Sequence, residues 1–79
     1  MRVYKEEQLE ELYCNRCGRK IRVENHIVTD GVLSLDYKWG YFSNKDGKMH
    51  SFDLCEKCYD EIVRDFKYPI NETGYNELI

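Results

Sequence analysis

All four cysteines of the chain fall in two units of the same spacing, Cys14-Asn15-Arg16-Cys17 and Cys55-Glu56-Lys57-Cys58. A CxxC turn carries two sulfurs to one side of a tight loop, where both can bind one cation. Two such turns supply four ligands, and a closed set of four cysteines is the usual structural zinc arrangement. The expected site is therefore one tetrahedral metal held by Cys14, Cys17, Cys55 and Cys58, with one Zn2+ per chain. The gap from Gly18 to Leu54 is 37 residues, longer than the roughly 20 of common zinc patterns. Such a gap works if it folds back as a hairpin and its two ends meet. Gly18, directly after Cys17, suits the turn of a zinc knuckle because glycine adopts positive φ at little steric cost.

Three rivals compete for the same cysteines. Two disulfides would need an oxidising compartment, and no secretory segment is evident. A thioredoxin-like redox motif needs its CxxC at a strand-to-helix junction within a βαβ pattern. Only the second pair fits that junction, and the first pair is then unexplained. Iron is also held by four thiolates, so spacing does not separate the two metals.

With 79 residues, one domain spanning 1–79 is expected, with its core at about 12–70 and a loose tail at 71–79. A chain of this size buries only about 60–65% of the surface its unfolded form exposes. The metal would serve as a staple for a marginal core, and its removal should unfold much of the protein. The formal charge is −3, from 12 basic and 15 acidic residues; four thiolates and one Zn2+ take it to −5. That balance disfavours binding to a phosphate backbone, which usually shows a basic footprint. No apolar run is long enough for a transmembrane helix. No basic-then-apolar start marks a signal peptide, so the cytoplasm is the expected location.

Met1 to Leu12 has two readings. Glu6, Glu7, Glu10 and Glu11, with Leu9, Leu12 and Tyr13 near helical spacing, suit a short helix; the segment suits an extended lead-in to the first knuckle equally well. Arg16, Arg19, Lys20 and Arg22 form the only basic cluster. They are candidate contacts to nucleic acid or phosphate, or they offset the −2 charge of a four-thiolate zinc site; the acidic remainder favours the second. Lys20 to Val28 reads as a short strand, and Thr29-Asp30-Gly31 as a turn. From Val32 to Phe42, Leu33, Leu35, Tyr37, Trp39 and Tyr41 alternate with polar or small residues, which predicts a half-buried antiparallel strand. Asn44-Lys45-Asp46-Gly47 predicts a hairpin turn, and Lys48 to Leu54 the returning strand. Cys55 to Lys67 predicts a helix whose apolar face is Tyr59, Ile62, Val63 and Phe66. Asp53 would cap it, with Glu56 three residues on, and Pro69 would stop it.

A knuckle, then a hairpin, then a helix carrying the last two ligands resembles the treble-clef zinc fold. The expected class is thus a small α+β zinc-stabilised domain with an antiparallel hairpin or three-stranded sheet and one C-terminal helix. The runs Trp39-Gly40-Tyr41-Phe42-Ser43, Lys45-Asp46-Gly47 and Phe52-Asp53-Leu54-Cys55-Glu56-Lys57-Cys58-Tyr59-Asp60 resemble a group of small bacterial zinc-ribbon-like proteins of uncharacterised function. This resemblance, from the first knuckle to Pro69, implies the fold and the metal, and carries over only Cys14, Cys17, Cys55 and Cys58.

The chain offers little catalytic chemistry. Treble-clef scaffolds also occur in HNH-type nucleases, which need a histidine base at the hairpin and a further ligand on the helix. The only histidines are His26 and His50, and the helix has none. No Gly-rich phosphate loop or Ser/His/Asp-like set is present, and a closed four-thiolate site has no open position for catalytic water. No enzyme is expected. Tyr37, Trp39 and Tyr41 share one strand face. They suit a stacking or peptide-binding platform, or the large core residues of a small domain; the helix needs a partner face, which favours core. Ile62, Val63 and Phe66 would then lie over the aromatics. Tyr4, Tyr13, Tyr59, Tyr68 and Tyr75 cannot all be buried, so some mark a contact surface. The expected function is a zinc-stabilised module that binds another protein. The alternatives are a nucleic-acid-binding regulator using the basic knuckle and an iron electron carrier resembling rubredoxin. Rubredoxin-like proteins carry CxxCG at both pairs, whereas Tyr59 follows Cys58 here.

Overall fold

The structure, a computed structural model, describes residues 1–75. Its elements are β1 (Arg2–Lys5), β2 (Gln8–Tyr13), β3 (Lys20–Ile21), β4 (Val23–Glu24), β5 (Ile27–Val28), β6 (Val32–Lys38), β7 (Met49–Cys55) and α1 (Glu56–Arg64). The strands form three small antiparallel units, ordered β1-β2-β3, β4-β5 and β6-β7. The last four residues of the predicted tail, 76–79, lie outside the described residues; 71–75 carry no regular element.

Of the two readings of Met1 to Leu12, the extended one holds. Lys5 pairs with Gln8 and Arg2 with Leu12 across a two-residue loop, with a bulge between Val3 and Tyr4. Glu6 and Glu7 sit at φ 53° and 67°, which is the backbone of a type I′ hairpin turn. An isolated helix of this length is marginal in water; here the backbone groups are satisfied by strand pairing instead.

The predicted strand over Lys20 to Val28 is in fact three short pieces. Ile21 pairs with Leu12 in the first unit, and Val23 and Glu24 pair with Val28 and Ile27 in the second. Asn25 and His26 turn that second hairpin, again with both φ values positive, at 50° and 67°.

The long hairpin is where the pattern placed it, running from Val32↔Cys55 to Lys38↔Met49. Its first strand, however, stops at Lys38. Trp39 N–H still donates to Lys48 O (3.0 Å), after which turns closed by Ser43 N–H to Gly40 O (3.0 Å) and Lys48 N–H to Lys45 O (3.0 Å) take over. Tyr41 and Phe42 therefore belong to the tip and not to the strand.

The helix is shorter than predicted. Cys55 is its N-cap, and Asp65, at φ −86° and ψ 0°, turns the chain out of it. Cys55, and not Asp53, holds the N-cap position, and it makes no side-chain capping hydrogen bond, so the capping role expected of Asp53 is not realised. Asp53 is instead buried (1% exposed) and engaged elsewhere. Its Oδ1 accepts from Arg2 Nε (3.0 Å) and Ser34 Oγ (2.6 Å), and its Oδ2 from the Met1 α-ammonium (3.1 Å). Burial raises the Asp53 carboxyl pKa, but Ser34, Arg2 and the α-ammonium outweigh it and hold the group below its ordinary value.

The core is built of Leu12, Ile21 and Leu54 around Cys14, Cys55 and Cys58, bordered by Val23, Val28, Val32, Phe52 and Ile62. The expected aromatic core does not form. Tyr37 is 50% exposed, Tyr41 83% and Phe66 50%. The reason is geometric. A nine-residue helix is about 14 Å long, and it starts at the Val32–Cys55 end of a hairpin whose strands run about 20 Å to the other end. Ile62 reaches the base of that hairpin, while Tyr37, Trp39 and Tyr41 lie toward the far end. Among the described residues no helix is long and apolar enough to cross a membrane.

Candidate metal centre

The first cysteine pair sits on the turn that leaves β2. Cys14 N–H donates to Arg19 O and Gly18 N–H to Cys14 O, both at 2.9 Å, and Gly18 takes φ 81° as its position predicted. The second pair straddles the junction of β7 and α1, with Cys55 as the last strand residue and Cys58 in the first helical turn.

Asn15 joins the two pairs. Its N–H donates to Asp53 O at 2.7 Å, and its Oδ1 accepts from Asp53 N–H at 2.9 Å. One residue inside the first CxxC thus clasps both backbone groups of a residue two positions before Cys55. Sequence reasoning missed this clasp and the buried Asp53 alike. Asn15 and Asp53 lie 38 positions apart, and no periodicity links them.

These constraints bring the four sulfurs within 4.8 Å of one another. Cys17 Sγ lies 3.8 Å from Cys55 Sγ. Four sulfurs at about 2.3 Å from one tetrahedral zinc stand about 3.8 Å apart, so the donor set has the dimensions of such a site. All four cysteines are free thiols, and Cys17 alone is exposed; the disulfide reading is not what the structure shows.

The electrostatics suit a cation. Burial pushes the Cys14 thiol up, yet the backbone N–H groups of Cys17, Cys55 and Arg16 bring it down to about 6. The Cys55 thiol is lowered chiefly by the backbone N–H of Cys58 at the positive end of the helix. Arg16 lowers Cys58, but burial and the crowding of Cys55, Cys14 and Cys17 push it up to about 12. Four thiolates in one small volume repel one another, and a bound divalent cation removes that penalty by replacing the remaining protons.

Two of the predicted basic residues stand beside the sulfurs. Arg16 Nη1 donates to Glu61 Oε1 at 2.6 Å, and its guanidinium pKa is raised first by Glu61 and then by the Cys58 sulfur. Arg19 Nη2 donates to Asp30 Oδ2 at 3.0 Å, and its pKa is raised chiefly by the Cys55 sulfur. Lys20 and Arg22 are exposed on and beside β3; with Arg19 and Asp30 they line a cleft of about 310 Å³. Neither histidine is among the clustered ligand atoms. His26 Nδ1 lies 3.0 Å from Leu9 O, and His50 Nδ1 accepts from Trp39 Nε1 at 3.0 Å.

Fold and site together define a small α+β domain of antiparallel hairpins and one C-terminal helix, with a four-cysteine cluster able to hold a metal ion. No protein-family model, no curated protein and no solved structure matches the chain. The likeness to zinc-ribbon proteins therefore rests on the cysteine cluster.

Proposed function

We propose that this chain is a treble-clef-like, zinc-stabilised interaction module that works in a reducing compartment such as the cytoplasm and binds another protein. The observation that carries the zinc assignment is the quartet of sulfurs within 4.8 Å at the centre of the core. Arrangement supports the treble-clef part: the first pair lies on a turn, the second on a strand end and the first turn of the helix. Four free thiols suit a reducing compartment. In this reading zinc supplies structure and no catalysis, because four thiolates leave no open coordination position. Arg16 and Arg19 offset the charge of the thiolates. Their engagement with Glu61, Asp30 and the sulfurs removes two of the four residues on which a phosphate-binding role would draw.

The test is metal content by mass spectrometry on protein purified without added metal, followed by unfolding with and without a chelator. About one zinc per chain, with cooperative unfolding lost on chelation, is expected. Iron at one per chain would redirect the reading to electron transfer. Oxidised thiols without metal would overturn it.

A further inference from the structure

The far end of the β6–β7 hairpin gathers several exposed apolar side chains. Tyr41 is 83% and Phe42 98% exposed, with Tyr37 and Met49 at 50% and 56%. Tyr37 stands opposite His50 and Met49 opposite Lys38, so these two lie on opposite faces of the hairpin; exposed apolar side chains gathered at one end of a small protein mark a contact site. The patch has a fixed anchor. Trp39 meets the Tyr37 ring edge-on at 5.1 Å and the His50 ring at 5.7 Å, and Lys45 Nζ lies 4.4 Å above its centroid. Beside the anchor, Lys38, Trp39, Asp46, Gly47, Lys48 and Met49 line a depression of about 290 Å³.

Charge distinguishes this end from the body. Residues 37–50 hold three lysines, Lys38, Lys45 and Lys48, against one acid, Asp46. That is a net +2, and it leaves −5 on the rest of a chain whose total is −3. We propose that the tip is the docking surface for a short segment of a partner protein rich in acidic and apolar residues. The proposal rests on the interaction-module reading and gives it a place and a partner chemistry. Tyr41, Phe42 and Met49 take the apolar side chains, and the three lysines take the carboxylates.

Three observations favour a peptide over a single-stranded nucleic acid. The rings meet edge to face, with interplanar angles of 87°, 75° and 89°, so they offer no parallel stack for successive bases. Lys45 covers one face of Trp39. The acidic body repels a long polyanion, and equally an anionic bilayer, whereas a short acidic segment keeps its charge at the tip.

Trp39 is the only tryptophan, so its emission reports on the tip alone. Random peptides displayed on phage are selected on the zinc-loaded full chain, and the winners are synthesised. Expected winners combine Asp or Glu with Leu, Ile or Phe and shift Trp39 emission with saturation. Their affinity falls at least about tenfold in the Tyr41→Ser/Phe42→Ser variant and weakens with added salt. Zinc retention and circular dichroism confirm that the variant is folded. Winners of basic composition, or equal binding to the variant, overturn the assignment of the tip while leaving the interaction-module reading in place. No enrichment at all counts against both. Tighter binding of oligo(dT) or phosphatidylserine vesicles, read by the same emission, overturns the peptide in favour of that class.

Discussion

Arg2 Nε lies 3.0 Å from Asp53 Oδ1, and its Nη1 lies 3.1 Å from Asp36 Oδ1. One arginine on β1 thus ties the first hairpin to both strands of the last. The aspartate it meets is buried, whereas the arginine side chain keeps 23% exposure. Removing one partner of a fully buried pair costs about 3–5 kcal/mol; partial solvent access at Arg2 places Arg2→Leu nearer 2 kcal/mol. Asp53→Asn should cost a similar amount. Because both changes break one network, the double variant should lose less than their sum. Denaturant unfolding of the zinc-loaded protein measures all three.

Replacement of Cys14, Cys55 or Cys58 by serine should abolish stoichiometric zinc binding and cooperative unfolding together. Among the described residues, the hydrophobic ones buried in the core apart from cysteines are Leu12, Ile21 and Leu54, too few to hold three separate strand units. A lone two-stranded hairpin such as β6–β7 is marginal in water. Circular dichroism before and after chelation checks this, with re-addition of zinc expected to restore the signal.

Arg16 stands next to Cys58 while paired with Glu61. Residues that orient metal ligands typically change metal affinity by about 10–100-fold when mutated. Arg16→Gln is expected near the lower bound, as its side chain keeps 46% exposure. Glu61→Gln should have little effect on the fold, since exposed ion pairs contribute little. Competition with a chromogenic chelator distinguishes the two variants.

The turns at Glu6-Glu7 and Asn25-His26 hold non-glycine residues at positive φ. Glu7→Gly should stabilise the zinc-loaded protein by about 0.5 kcal/mol, because glycine relieves the left-handed strain at the cost of some unfolded-state entropy; His26→Gly should gain less, since it also loses the contact of His26 Nδ1 with Leu9 O at 3.0 Å. A rise in thermal midpoint is the expected result.

The same turns explain what could be read in the sequence. Asn44 to Gly47 announced the long hairpin because Asp46-Gly47 is a strong local signal, and Gly47 indeed takes φ 87°. Glu6-Glu7 and Asn25-His26 contain no glycine, so two hairpins went unseen and Met1 to Leu12 kept a helical alternative. The cysteine quartet was legible because metal chemistry fixes ligand type and spacing whatever the intervening fold. Burial was not. Alternation along Val32 to Phe42 identified a strand but could not say which stretch of it the helix would cover. Ile62 packs against the core while Phe66, on the same predicted face, is half exposed. Ile62→Ala should therefore cost about 1–2 kcal/mol and Phe66→Ala only a few tenths, both by denaturant unfolding.

The β6–β7 ladder also bears on how fast the site assembles. Cys17 and Cys55 are separated by the 37 residues from Gly18 to Leu54, but once the ladder zips, Val32 stands opposite Cys55. The chain still to be closed then shrinks to the stretch between Gly18 and Gly31. Hairpins form in about 1–10 microseconds, and closure entropy grows only with the logarithm of loop length. A metal captured on that route would seal a short loop in place of a long one, a saving of about 0.9 kcal/mol in closure entropy.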